Sequence, residues 1–244
     1  MLLSELAARI RAQREKRGLK QTDVAHAMQI SPQAVSKWER GENAPDISVL
    51  PALAKLLDVS VDWLLGVNAE ERDVFKASVL ATGVRGARRK SAHLSPKDFA
   101  AWSNAFSFQA TEAVLRYDGV PVKSMGPGIL AFFSGQNHER RAIEAALTFR
   151  QVCDEPIKAA ASSGLIYLGS MGHPAYAHPD IMGEAVSIAL LAVDWASGHT
   201  ESGVVAAAAT AKAGGRVASL GPIQTVQLEG IGHPVEIVEI LAKK

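Results

Sequence analysis

Three polar residues at helical spacing, Gln33, Ser36 and Lys37, are the side chains of this 244-residue chain best suited by type to recognition chemistry. A glutamine amide donates and accepts together and can pair bidentately with adenine. A lysine ammonium can donate to guanine or to a phosphate oxygen, and a hydroxyl can serve either base. Pro32, just before them, carries no side-chain donor and suits a helix cap or an apolar contact. The inventory for covalent or metal chemistry is thin. The single cysteine, Cys153, permits no internal disulfide and no zinc cluster, as expected of a reducing cytosol. His173, His178 and His233 lack metal-ligand spacing and are expected on loops or the surface. There is no glycine-rich phosphate-loop motif, so no metal and no cofactor is expected. Arg85, Arg88, Arg89 and Lys90 read either as a patch that attracts phosphate or as a solvated basic turn.

The row needs two short helices to hold it. In Gln21 to Gly41, Val24, Ala25 and Met28 form one apolar face and Val35 and Trp38 the next, with a turn at Ile30-Ser31-Pro32 between them. Ser31 is a good N-cap, Pro32 suits the first helical position, and Gly41 stops the second helix. Periodicity alone fits equally well a helical hairpin whose polar face meets only water. Leu3, Leu6 and Ile10 give an earlier helix an apolar stripe. Ile47, Leu50, Leu53, Ala54 and Leu57 supply a fourth helix. Ser60 caps a fifth that contributes Trp63, Leu64 and Leu65. Five such helices can bury a compact centre.

Composition bounds the partners. At 48% hydrophobic and 21% charged residues the chain is expected to fold as two domains. Net charge is +1, and residues 1–66 carry nine Lys/Arg against eight Asp/Glu, so binding of any duplex through bulk charge is excluded. Specific binding would need focused basic residues and two copies of the domain. No apolar run of membrane-spanning length occurs, and the charged amphipathic start is unlike a signal peptide. A cytoplasmic protein with no membrane partner is expected.

The stretch Leu3 to Gly66 resembles the lambda-repressor-like, or XRE-type, helix-turn-helix family. The motifs are RxxxGLKQTDVA at Arg14 to Ala25, ISPQAVSKWERG at Ile30 to Gly41 and LAKLLDVSVDWLLG at Leu53 to Gly66. The resemblance implies a DNA-binding domain over residues 1–66. It places Gln21 on a phosphate at the start of helix 2, and Pro32, Gln33, Ser36 and Lys37 at exposed recognition positions. Arg40 and Asn43 fall near the following loop, where the family meets backbone phosphates. Arg14 and Glu39 match an internal salt bridge, which with the core residue Trp38 is assigned to structure rather than to DNA contact.

Residues 67–73, VNAEERD, read as a short linker, and residues 74–244 as a second domain. VFKASVLATGV reads as a strand and Lys97 to Tyr117 as a helix. GVPVKSMGPGILAFFS reads as two strands around a Gly-Pro-Gly turn, and Glu139 to Val152 as a helix. Strand-like GLIYLG follows, then a helix from about Gly183 to Trp195, an alanine-rich helix near Val204–Ala211, and terminal strands near Thr225–Glu229 and Val235–Ile240. Such alternation indicates an α/β sandwich with one sheet behind an all-α domain.

This second part, Val74 to Leu241, resembles a class III adenylate/guanylate cyclase domain, which implies a ferredoxin-like sandwich. The segments carrying the match are SVLATGVRG, VKSMGPGILAFFS, SSGLIYLGSMG, PDIMGEAVSIA and LGPIQTVQLEGIGHPVEIVEI. In that family two carboxylates hold two metal ions. Their positions fall here on Gly83 and Pro127, and the positions of the ribose-orienting asparagine and the phosphoryl-stabilising arginine fall on Ser187 and Leu191. The resemblance therefore implies an inactive, degenerate cyclase. Two purine-recognition positions stand as Lys123 and Asp180, which read either as a nucleotide-binding pair or as an ordinary surface lysine and aspartate. Glu184 lacks a second carboxylate and is not assigned to catalysis.

Taken together these features predict a dimeric transcription regulator. Its partners would be double-stranded DNA carrying an inverted-repeat operator, a second copy of itself, and a nucleotide or cyclic-nucleotide effector. Two other readings stand beside it: weak or partner-dependent nucleotidyl cyclisation, and a ligand-free protein-interaction module.

Overall fold

A computed structural model describes residues 3–66, 73–173 and 176–243, and the chain divides into two compact units, residues 1–75 and 76–244. The expected linker lies outside the described residues apart from Asp73. Among the described residues no helix is long and apolar enough to cross a membrane.

Among the described residues, the first unit holds five helices: α1 (Leu3–Lys16), α2 (Gln21–Met28), α3 (Pro32–Glu39), α4 (Leu50–Leu57) and α5 (Val61–Leu65). Their shared core is Leu6, Ile10, Val24, Ala25, Val35, Trp38, Leu50, Leu53, Ala54, Leu57, Trp63 and Leu64. Full burial of one such leucine or isoleucine is worth about 1.5–3 kcal/mol, so this row fixes the angle at which α2 delivers α3. Ser31 Oγ accepts from Ala34 N at 3.2 Å and starts α3 directly after the left-handed residue Gln29 that ends α2. Gly41, at φ +70°, lets the chain leave α3 in a conformation that other residues reach only with strain. Two expected core positions are corrected. Ile47 precedes α4 and is 83% exposed, because it sits in the loop before the helical period begins. Leu3 is 39% exposed at the first position of α1, at the edge of the bundle core.

The second unit is a sandwich about one mixed sheet. Its elements are β1 (Val74–Val84), which begins just before the division between units, α6 (Ala87–His93), α7 (Pro96–Arg116), β2 (Val120–Ser124), β3 (Ile129–Phe133), α8 (His138–Val152), β4 (Ile157–Met171), β5 (His178–Met182), α9 (Glu184–His199), β6 (Val204–Ala207), α10 (Ala208–Ala213), β7 (Ala218–Val226) and β8 (Val235–Lys243). Strands run in the order β2-β3-β1-β4-β6-β8-β7, with β5 paired to β4. The first four of these strands with α7 and α8 make the βαββαβ ferredoxin-like arrangement. β1 pairs antiparallel with β3, Leu80 opposite Ala131, and β4 runs parallel to β6, Ala160 opposite Val205.

Alternation along the strands sorts the two faces. Leu80, Val84, Ile129, Ala131, Phe133, Ala159 and Ala161 share one core with Phe106, Ala110 and Val114 of α7 and Ile143, Leu147 and Phe149 of α8. Helix α9 packs on β4, β5 and β6, and its buried residues Ala185, Ile188, Ala189 and Ala192 lie outside that core, so it covers the opposite face.

Three elements depart from expectation. Val204–Ala207 is a strand and only Ala208–Ala213 is helix. Alanine favours helix, but this segment bridges β4 and β8 in the sheet, and pairing on both sides overrides propensity. The penultimate strand is Ala218–Val226 rather than Thr225–Glu229, paired antiparallel with β8 in a register that shifts between Ser219 and Ile223. His178 is a surface residue, as expected, and stands at the start of β5, which pairs with the second half of the long β4. The basic stretch after β1 is the short helix α6, not a turn.

Candidate functional site

Helix α3 carries the candidate reading face. Pro32, Gln33 and Lys37 are exposed, and Ser36 is half-buried, with its Oγ accepting from Arg40 Nη1 at 2.5 Å. Arg40 also donates from Nε to Glu42 Oε1 at 2.5 Å, which raises the guanidinium and lowers the carboxyl of Glu42. Asn43 is exposed in the loop beyond, and its Oδ1 accepts from Ala44 N at 2.9 Å. Gln33 and Lys37 therefore hold the outermost positions of the helix, one turn apart.

Behind this face Trp38 is buried, and Glu39 organises a polar cluster. Arg14 donates from Nε to Glu39 Oε1 at 2.5 Å and from Nη2 to Oε2 at 2.9 Å. Its Nη1 donates to Leu19 O at 2.8 Å. Burial alone would push this guanidinium down, but the hydrogen bond and charge of Glu39 outweigh it and hold it above its ordinary value. Gln21 Nε2 donates to Glu39 Oε2 at 2.7 Å, so the residue expected on a phosphate is half-buried and spends one amide proton inside the protein.

A second feature belongs to the α/β unit. A cleft of about 700 Å³ opens where β1 ends, lined by Thr82 to Val84, Gly86 to Arg89, Met125, Pro127, Lys158, Leu190, Val193, Asp194 and Ser197. Gly83 and Pro127, far apart in sequence, meet there because the β2–β3 turn folds over the end of β1. A β-carbon on Gly128 would lie 2.1 Å from Thr82 O, so glycine is required for that approach. Lys158 rises from β4 into the space beside Gly83, and a β-carbon at Gly83 would meet its Cε at 2.9 Å. Its ammonium is bonded to the carboxylate of Asp194 on α9. No local pattern marks Lys158 or Asp194; a lone lysine within an apolar and alanine-rich strand was the one available signal.

The basic run is divided by the fold. Arg85 turns away from the cleft and caps the C-terminal end of α9, donating from Nη2 to Thr200 O at 2.6 Å and Ala196 O at 3.3 Å. Lys90 is bonded to Glu155 and stands 4.5 Å from the centre of the Trp102 ring. Trp102 Nε1 also donates to Glu155 Oε1 at 2.7 Å, and the bonds from Lys90 and Trp102 hold the Glu155 carboxyl below its usual range. Arg88 and Arg89 are exposed at the cleft.

Ser187 and Leu191 sit on α9 but do not line the cleft. Neither do Lys123 and Asp180, which form an ion pair at 2.5 Å between β2 and β5, with Asp180 Oδ1 also accepting from Ile181 N at 2.8 Å. Glu184 pairs with His233 Nε2 at 3.0 Å. His173 and His233 are exposed loop residues. Among the described residues no three His, Cys, Asp or Glu side chains converge as a metal site.

Residues 10–64 match the family described as helix-turn-helix. The chain is 36% identical over 69 residues to repressor protein C2 of Salmonella phage P22, covering 28% of this chain and 32% of that protein. It is 40% identical over 60 residues to the HTH-type transcriptional regulator DicA of Escherichia coli (strain K12), covering 25% and 44%. The match thus spans a third to a half of these relatives' length. In fold, the chain is similar to the guanylyl cyclase Cya2, with TM-score 0.62 and 18% identity over 70% of this chain and 94% of that one. It is also similar to the adenylyl cyclase CyaB from P. aeruginosa, with TM-score 0.60 and 18% identity over 70% and 96%.

Proposed function

From a chain that joins an XRE-type helix-turn-helix domain to a unit with the fold of the class III nucleotide cyclases, we propose a sequence-specific DNA-binding transcription regulator. The observation that carries this reading is the outward row of Gln33 and Lys37 on a helix whose opposite side is anchored by Trp38 and Glu39. A rigid helix with two exposed, chemically distinct donors is what major-groove reading needs, because bidentate and point-charge contacts then fall on successive base edges. Pro32 would touch the groove as an apolar contact. Ser36, Arg40 and Asn43 would fix register on the backbone, and Gln21 would do so through its second amide proton.

The α/β unit is the dimerising part in this reading, giving two reading heads related by a twofold axis and an inverted-repeat operator. Leu165, Met171, Tyr176 and Met182, exposed on and between β4 and β5, supply the apolar surface that a second copy would cover. The Lys123–Asp180 pair is the candidate site for a nucleotide or cyclic-nucleotide effector. Such a ligand changes DNA affinity only by binding two dimer geometries unequally. Cyclase chemistry is not part of the proposal, since Gly83 and Pro127 offer no metal-binding oxygen from a side chain.

Selection of bound sequences from random duplexes with the full-length protein tests the reading. It is supported by a shared motif of two inverted half-sites spaced by whole helical turns, about 34 Å or a multiple. Recovery of no common motif overturns it. The competing reading, weak nucleotidyl cyclisation, is favoured by the fold and is separated by a sensitive assay for cyclic AMP and cyclic GMP with magnesium or manganese.

A further inference from the structure

The cleft beside Gly83 offers little to hold metal ions and contains a fixed cation, Lys158. A pair of divalent ions is anchored to a protein by carboxylates, one or two for each ion beside water and substrate oxygens, and this lining offers one carboxylate, Asp194, already bonded to Lys158. The volume that a longer side chain at residue 83 would need is filled by the carbon stem of Lys158, 2.9 Å from the position of its β-carbon.

What the lining presents instead is positive charge. Arg88, Arg89 and Lys158 face a single carboxylate, and neither arginine has an ion-pair partner among the described residues. Asp194 is the exposed member of its pair with Lys158, its side chain 73% exposed against 19%, so an incoming anion would compete with the carboxylate for the ammonium from the solvent side. Guanidinium forks match phosphate oxygens in pairs, and a concave wall of low dielectric strengthens their pull.

We propose that this cleft takes the phosphate chain of a small phosphorylated anion directly, with no divalent metal, Lys158 acting as the built-in counter-charge and Arg88 and Arg89 as the clamp. The proposal rests on the effector reading of the second unit and names the end of the ligand that the cleft would receive. It does not require purine recognition by Lys123 and Asp180.

Calorimetric titration of the full-length protein with inorganic tripolyphosphate, in excess EDTA and low salt, tests it. Saturable binding is expected. Loss of charge-assisted bonds in R88A/R89A should weaken it by roughly tenfold or more. Lys158→Met should weaken it similarly, and Asp194→Asn should tighten it. Arg88 and Arg89 are exposed, so their replacement leaves the core intact whatever Lys158→Met does to folding. Absence of binding in EDTA, binding that appears only with added magnesium, or binding indifferent to R88A/R89A overturns the proposal. ATP and GTP, titrated in parallel, separate it from the purine reading. If they bind no tighter than tripolyphosphate, and no weaker in Lys123→Ala, the purine site fails and the metal-free clamp stands.

Discussion

Arg14 and Glu39 meet at two points, Nε to Oε1 at 2.5 Å and Nη2 to Oε2 at 2.9 Å, with side chains only 11% and 3% exposed. One carboxylate thus ties α1 to α3 and, through Gln21, to α2. Desolvating such a pair costs much of what its attraction returns, so its net contribution can be near zero while its geometry is strictly set. Removing one partner is a different matter.

Glu39→Ala takes the two shortest carboxylate contacts from the largely buried Arg14 guanidinium, leaving it Leu19 O and a longer 3.4 Å contact to Glu15, and frees Gln21. The helix-turn-helix unit should lose about 3–5 kcal/mol, as expected when a buried pair is broken from one side. Calorimetric unfolding of the full chain should show one transition shifted down and the other unmoved. A loss below about 1 kcal/mol, the range of exposed pairs, would mean the bridge does not hold the helices.

Gln33→Ala and Lys37→Ala should each leave folding unchanged, since both side chains are exposed. On a selected operator Gln33→Ala should cost about 1–3 kcal/mol and relax preference at one base position. Lys37→Ala should also flatten the salt dependence by about one phosphate contact if the ammonium lies on the backbone. Fluorescence anisotropy across a salt series, with operator and scrambled duplex, measures both; unchanged affinity in the two variants would remove α3 from the groove.

His138 gives the second unit a pH dependence. Its Nδ1 lies 2.8 Å from Ser78 Oγ, which is also 2.6 Å from Ser163 Oγ, and burial holds the imidazole below its ordinary value despite the opposing charge of Glu139. With the folded-state value depressed, the unfolded chain takes up the proton first. Stability is therefore fully present above the unfolded value of about 6.5 and is lost as pH falls through the window below it. Urea unfolding between neutral and mildly acidic pH should show that decline, and His138→Asn should flatten it. A variant with the same slope as the wild type would assign the effect to other groups.

Gly128→Ala should damage the α/β unit and its cleft together. The new β-carbon would sit 2.1 Å from Thr82 O, a distance no rotamer change can relieve because both atoms are fixed to backbone. Overpacking of this kind costs about 1–3 kcal/mol. The midpoint of thermal unfolding should fall, whereas Gly126→Ala, in the same turn but with nothing near its β-carbon and a positive φ of 64°, should pay only the smaller conformational cost.

Much of the architecture was legible because it is written in local chemistry. Ser31-Pro32 at the head of α3, the positive-φ Gly41 beyond it, and the long apolar face of α7 each determine their element within a few residues. The same locality explains the errors. Val204–Ala207 reads as helix until neighbours on both sides make it a strand, and Ile47 reads as core until α4 is seen to begin only at Leu50.

By itself, then, the sequence determined which residues alternate or recur along each element, where the helices are capped, and that Gln33, Ser36 and Lys37 share one helix. Tertiary structure alone decided which of the charged groups remain available. Arg85 and Lys90 were drawn off to the end of α9 and to Glu155, Gln21 was partly claimed by Glu39, and Lys158 was pressed into the space beside Gly83. The reason is that hydrogen bonds and ion pairs act over a few ångströms in space, while the partners lie from 18 to 115 residues apart in sequence for the bonded groups. Periodicity reports what one element can do; only the packed fold reports what its neighbours have already taken.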